Sequence, residues 1–273
     1  MADTVRVGVV QMSSQDYVPK NLSRAVELVG RAAAEGAKLV VLPENFAFMG
    51  AEEAKRGHAE SLGEGARGPI ASALSDAARR SGVHVLAGGM PERSQDPDRP
   101  YNTCAVIGPD GLLVARYRKV HLFDVEVGDG QRYRESASTS AGAEPVVVPI
   151  LGFKVGLSVC YDVRFPELYR KLADLGADLI VVPAAFTLAT GKDHWHVLLR
   201  ARAIESQAYV AAAAQFGVHP HDRRTYGKSL VADPWGDVIV QCTDGEGVAV
   251  ATIDRRRIDT VRANLPSLRH RRL

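Results

Sequence analysis

The sequence predicts an α/β protein made of two matching halves, each giving strands to a sheet and helices to its outer face, so that two sheets pack face to face between two helical layers. Three observations predict it. Gly176-Ala-Asp-Leu-Ile-Val-Val-Pro-Ala-Ala-Phe186 aligns with Gly36-Ala-Lys-Leu-Val-Val-Leu-Pro-Glu-Asn-Phe46 at a constant offset of 140 residues, with Gly, Ala, Leu, Val, Pro and Phe matched. Short apolar runs alternate with segments of helical periodicity, the mark of βαβ units. Each half also carries an antiparallel hairpin, which disfavours the competing architecture, a single doubly wound sheet.

In chain order, residues 5–11 read as a strand, and Asn21 caps a helix over 21–34 whose apolar positions include Leu22, Val26 and Val29. Gly36 stops that helix, and the apolar run 39–42 is a second strand ending at Pro43-Glu44. Residues 68–80 read as helix, 83–87 as strand, and 103–107 with 112–117 as a hairpin around Gly108-Pro-Asp-Gly111. The Gly- and Ser-rich stretch 128–143 reads as a loop, long enough to be functional. Val155-Gly156 echoes Val7-Gly8, and the strand it opens stops at Cys160, six residues before Pro166 starts a helix. A helix over 193–207, a strand over 209–214 and a hairpin around Asp233-Pro-Trp-Gly236 complete the repeat. The whole chain, 1–273, reads as one domain, with the tail from about 255 packing on a dimer.

Composition narrows the function classes. A 46% hydrophobic content over 273 residues fits a well-buried core, and a formal net charge of +2 gives no grip on nucleic acid. The basic clusters Arg255 to Arg257 and Arg269 to Arg272 read as solvated helix face and tail. Three cysteines without CxxC spacing encode neither a disulfide framework nor a zinc ribbon, and no apolar window is long enough to cross a bilayer, so a soluble cytoplasmic protein without membrane partners is expected. His194 and His196 point apart on a helix and are not expected to hold a metal. Trp195 and Trp235 read as packing anchors, and the Gly88-Gly89 pair as turn glycines.

The chemistry concentrates at strand ends. Cys160 enters a strand-to-helix turn at the edge where α/β sheets bind ligands, and Glu44 ends the equivalent edge of the first half. A thiol nucleophile needs a base and donors for the oxyanion it creates. Glu44 and Lys119 suit those roles, and the apolar surroundings of Glu44 predict a raised carboxyl pKa, with a nearby lysine offsetting the rise.

Leu42-Pro43-Glu44, Arg118-Lys119-Val120-His121-Leu122 and Cys160-Tyr161-Asp162-Val163-Arg164-Phe165-Pro166-Glu167 together resemble the three catalytic motifs of the nitrilase superfamily, the carbon–nitrogen hydrolases, in the family's order and across essentially the whole chain. The resemblance implies an α-β-β-α sandwich that dimerises into an eight-layer assembly, and an amidase without metal or organic cofactor. Glu44, Lys119 and Cys160 would be catalytic, with Glu135, sixteen positions past Lys119, as a second active-site glutamate. Glu44 would take the proton from Cys160, the thiolate would attack an amide carbonyl, and Lys119 with the Tyr161 N–H would hold the oxyanion. Protonated Glu44 would then serve the departing ammonia and later activate water.

Tyr161, Arg164 and Phe186 are the expected substrate contacts, with Arg164 pairing a substrate carboxylate in preference to Glu167. Within the superfamily, Thr190-Gly191-x-x-His194-Trp195 resembles the amidases of small carboxylates, and two small-molecule substrates compete. Deaminated glutathione is favoured by Ala213 to Pro220 and by Arg224 to Gly227; 2-oxoglutaramate is the alternative. His219, His221, Arg223 and Arg224 would concentrate positive charge for a distal carboxylate. A silent dimeric scaffold is the competing reading of another class, and the intact catalytic positions speak against it.

Overall fold

The computed structural model describes residues 3–63, 68–126 and 132–272. The first half runs β1 (Thr4–Met12), α1 (Val18–Ala34), β2 (Leu39–Leu42), α2 (Pro69–Ser81), β3 (His84–Glu92), β4 (Tyr101–Ile107) and β5 (Leu113–Arg118). A short hairpin follows, β6 (Asp124–Glu126) with β7 (Arg132–Arg134). The second half runs β8 (Val146–Ile150), β9 (Phe153–Leu157), α3 (Pro166–Asp174), β10 (Leu179–Val181), α4 (Leu188–Ser206) and β11 (Tyr209–Ala212). The chain ends with β12 (Ala214–Val218), β13 (Arg224–Tyr226), β14 (Leu230–Ala232), β15 (Val238–Gln241), β16 (Gly247–Asp254), α5 (Arg255–Asn264) and α6 (Ser267–His270).

Two sheets result. One has the order β13-β12-β1-β2-β3-β4-β5, with β16 also paired to β1, and the other has the order β15-β14-β11-β10-β9-β8. Strand register proves the repeat: Val7 pairs Leu39 and Leu39 pairs His84, while Val155 pairs Leu179 and Leu179 pairs Tyr209, all parallel. Gly8 and Gly156 are equivalent in this frame. A Cβ on either would lie 3.2 or 3.3 Å from the Cβ of Ala37 or Ala177, the alanines that match at the repeat offset, so both glycines admit a close neighbour on the helix side of their strands.

Period-two alternation builds the layers. Val7, Val9, Leu39 and Val41 face Val155, Leu157, Leu179 and Val181 across the inter-sheet core. Their neighbours Val10, Val40, Leu42 and Val85 pack under Leu28 and Val29 of α1 and Leu74 of α2. The fold is therefore the α-β-β-α sandwich that the repeat predicts. Among the described residues, no helix is long and apolar enough to cross a membrane.

Several local expectations are corrected. Asn21 does not cap α1; the helix starts three residues earlier at Val18 with Pro19 in its first turn, and the buried Asn21 side chain instead binds the Gln15 backbone and the Ala47 carbonyl. The expected 209–214 strand breaks at Ala213, where the chain leaves the second sheet and enters the first as β12. The 128–143 loop contains β7 and a 3-10 turn, Glu135–Ala137, while 128–131 lie outside the described residues. Helix α4 begins at Leu188 rather than 193, under a Thr187 cap. Helix α5 buries Ile258 and Val261 against its own chain, and Arg255 and Arg257, while still partly exposed, are also ion-paired with Asp178 and Asp233. Trp195 is fully buried, but Trp235 is 52% exposed and anchors no core.

Candidate active site

Glu44, Lys119, Glu135 and Cys160 converge where both sheets present strand ends. Lys119 follows β5, and its ammonium lies 2.9 Å from Glu44 Oε1 and 2.8 Å from Glu135 Oε2. All three side chains are almost completely buried. Two groups invisible to sequence reasoning complete the cluster. Asn102, entering β4, donates through Nδ2 to both carboxylates, at 2.9 Å to Glu44 and 3.0 Å to Glu135. The Ala185 N–H, just past β10, donates to Glu44 Oε2 at 3.0 Å. Glu135 Oε2 accepts a further bond from the Phe123 N–H at 2.7 Å.

Cys160 sits after β9 at φ 48°, in the left-handed region that side chains avoid, and its N–H donates to the Pro183 carbonyl at 2.8 Å. That backbone sets the thiol on the same cleft as Glu44, close enough for the carboxylate charge to act on it. The turn is fixed from below by buried Asp162, which accepts from the Val159 and His121 N–H groups, from His121 Nδ1 and from the Tyr117 hydroxyl. Tyr161 is the second residue of the 3-10 turn Cys160–Arg164, where its N–H has no carbonyl inside the turn to bind.

Gly88 and Gly89 lie in β3 and provide clearance, which corrects their reading as turn glycines. A Cβ at Gly88 would sit 1.8 Å from Pro183 Cβ, and one at Gly89, which adopts φ +64°, would sit 2.5 Å from Glu44 Cγ.

The electrostatics correct the expectation for Glu44. Burial alone would raise its pKa, but the Lys119 charge, the charge of Lys55 and the hydrogen bond from Lys119 outweigh burial and bring it down to about 2. Burial likewise works against the charged form of Lys119, and the charges of Glu135 and Glu44 overcome it, raising the ammonium pKa well above its ordinary value. The Cys160 thiol moves far upward, through burial and then the Glu44 charge, with Lys119 opposing. These directions favour a resting thiol at Cys160, a carboxylate at Glu44 and an ammonium at Lys119.

A narrow cleft opens above Cys160, and Tyr161, Arg164, Phe186, Thr190, Lys55 and Arg223 are among its walls. The Arg164 guanidinium lies 5.0 Å from the Phe186 ring and 3.2 Å from His194 Nδ1. Among the described residues it has no carboxylate within ion-pair distance, Glu167 included.

The basic loop is reassigned. His219 is buried, its Nδ1–H donating to the Ser14 carbonyl and its Nε2 accepting from Thr225, and burial lowers its pKa to about 4, so it is neutral near pH 7. His221 and Arg224 are exposed, and neither lines the cleft. Arg223 alone of that group reaches it.

A strand-end thiol beside a carboxylate, with an ammonium held by two carboxylates, on an α-β-β-α sandwich, is the arrangement expected of a cysteine hydrolase of the nitrilase type. The chain belongs to the carbon–nitrogen hydrolase family, whose family model matches residues 6–263, and is an enzyme of carbon–nitrogen bond hydrolysis. It is 47% identical over 265 residues to a deaminated glutathione amidase of Synechocystis sp., covering 96% of each chain. It is 43% identical over 272 residues to the human deaminated glutathione amidase, covering 97% of this chain and 82% of that one. The crystal structure of Saccharomyces cerevisiae Nit3, a member of branch 10 of the nitrilase superfamily, superimposes with a TM-score of 0.87 at 32% identity, covering 97% of this chain and 96% of that one.

Proposed function

We propose that the protein hydrolyses the amide joining the 2-oxoglutaryl group of deaminated glutathione to cysteinylglycine. The observation that carries this reading is the buried ammonium of Lys119, which commits two of its three N–H bonds to Glu44 and Glu135 and leaves one for an oxygen above Cys160. As Cys160 sulfur bonds to the amide carbon, its proton passes to Glu44 and the carbonyl oxygen gains the negative charge, held by Lys119 and the Tyr161 N–H. Collapse breaks the C–N bond, Glu44 returns the proton to the leaving amine, and a thioester remains. Glu44 then takes a proton from water, whose oxygen attacks the thioester; the 2-oxoglutarate carboxylate leaves and the thiol is restored. Glu135 fixes Lys119 throughout, and Arg164, which has no carboxylate partner among the described residues, receives the carboxylate beside the oxo group, over Phe186.

The alternative substrate, 2-oxoglutaramate, gives the same acyl-enzyme and releases ammonia, so 2-oxoglutarate formation is measured from both compounds. A kcat/KM at least tenfold higher on deaminated glutathione is expected; a tenfold preference for the short substrate overturns the assignment. Exposed Val197 and Ile204 on the outer face of α4, at 66% and 46%, support self-association as a dimer, checked by light scattering. Three free cysteines suit a reducing cytosolic setting.

A further inference from the structure

Arg223, in the segment before β13, carries a guanidinium that the proposed chemistry does not use. Its side chain is 15% exposed, and Nη1 lies 3.0 Å from Glu52 Oε1. Its Nε is buried without a partner. The same Glu52 also holds Lys55, at 2.7 Å through Oε2, so one carboxylate answers two cations on this wall of the cleft. The Nη1 bond to Glu52 leaves Nε and Nη2, the side-on fork that matches a carboxylate, free of any hydrogen bond among the described residues.

Charge counting points the same way. The catalytic cluster has two carboxylates to one ammonium, the Arg223 wall has two cations to one carboxylate, and Arg164 and Arg134 add two more positive charges. Among the described residues the cleft therefore carries an excess of two positive charges. A substrate with a single carboxylate neutralises half of it.

We propose that Arg223 is the specificity residue for the leaving-group side of the substrate, receiving on its Nε–Nη2 edge the distal carboxylate of an amide that already gives its oxo-acid carboxylate to Arg164. The inference rests on the substrate reading above. It divides labour between two arginines: Arg164 binds the acyl half that both candidate substrates share, and Arg223 binds the half that departs with the amine. Arg223 then acts on acylation and has no substrate contact left in the thioester.

The test uses deaminated glutathione and its C-terminal carboxamide, which differ only in the distal carboxylate. Wild-type enzyme is expected to favour the free acid at least tenfold in kcat/KM, about 1.4 kcal/mol, and Arg223→Met to bring that ratio near one. The hydrolysis rate of the isolated thioester intermediate, read in single turnover, is expected to be the same in both proteins. Equal turnover of acid and carboxamide by the wild type overturns the proposal before any variant is made, and so does a preference that survives in Arg223→Met. Failure of the substrate reading is distinct: the wild type would then hydrolyse 2-oxoglutaramate and leave both long compounds intact.

Discussion

The turn 43–46 after β2 and the turn 183–186 after β10 are copies in one frame, and they do different work. Both begin with proline and end with phenylalanine. In the first, Glu44 projects a carboxylate, Asn45 takes φ 60° with its N–H on the Gly89 carbonyl, and Phe46 disappears into the core. The second offers no side-chain chemistry at the matching Ala184, yet its backbone serves both reacting groups: the Pro183 carbonyl accepts from the Cys160 N–H, and the Ala185 N–H donates to Glu44. Its phenylalanine, Phe186, faces the cleft. One copy supplies the reactive group and the other supplies the jig that holds it. A site at the seam of a repeat can thus diverge in side chains while both halves keep the backbone geometry the chemistry needs.

The most direct way to break this asymmetry is to make the first turn resemble the second. Glu44→Ala, like Glu44→Gln and Cys160→Ala, is expected to lower kcat by at least roughly 10³-fold, within the range of losing a general base or nucleophile, while circular dichroism stays native. Retention of a tenth of the activity in any of them would remove that residue from the mechanism.

Acid tests the bolt between the halves. His219 reaches from the end of β12 to the Ser14 carbonyl beyond β1, and its folded pKa of about 4 lies below the usual 6.5. Between those values the unfolded chain binds a proton that the folded protein refuses, so stability falls as pH drops from about 6.5 and levels off below about 4. The shift corresponds to about 3 kcal/mol. Urea unfolding at pH 7.5 and pH 4.5 should show this loss, and His219→Gln should flatten it; an unchanged slope would assign the acid sensitivity elsewhere.

Next comes the amide that ties the two carboxylates together. Asn102→Ala is expected to cost about 10²-fold in kcat with little change in KM, because Glu44 and Glu135 lose their shared donor and drift from alignment. A KM effect alone would place Asn102 in substrate binding.

The smallest effect concerns backbone strain. Cys160 is left-handed, whereas Met12, its counterpart by strand register, is extended in β1. Cys160→Gly should therefore be more stable than Cys160→Ala by about 1 kcal/mol, and the order should reverse at Met12. Thermal unfolding of the four variants checks the sign.

The residues legible in the sequence were those whose position is set locally. Glu44 and Cys160 end apolar runs, and a strand end in a repeat fixes where a side chain emerges. Lys119 and Glu135 follow from motif order. Asn102 is different: it enters an ordinary strand, and its importance comes from β4 lying beside β3 and β5, a tertiary fact whose single trace is an asparagine ahead of an apolar run. Gly88 and Gly89 looked like punctuation because clearance for Pro183 and Glu44 exists only after the two sheets meet. The lysine beside Glu44 was expected to offset a raised pKa; at 2.9 Å, with the charge of Lys55 added, it reverses the shift, and neither that distance nor the second cation is written in the local sequence. The Arg223 to Glu52 pair joins segments 171 residues apart, beyond any periodicity.

That dispersion governs how the enzyme comes into being and how it fails. The contacts defining the base span 58, 75 and 141 residues of chain, so they close late in folding, after loop entropy has been lost elsewhere. Amidase activity is therefore expected to appear only once both sheets are in place. In reverse, hydrogen exchange at Ala185 and Cys160 should report the first sub-global opening of the seam, before either sheet melts.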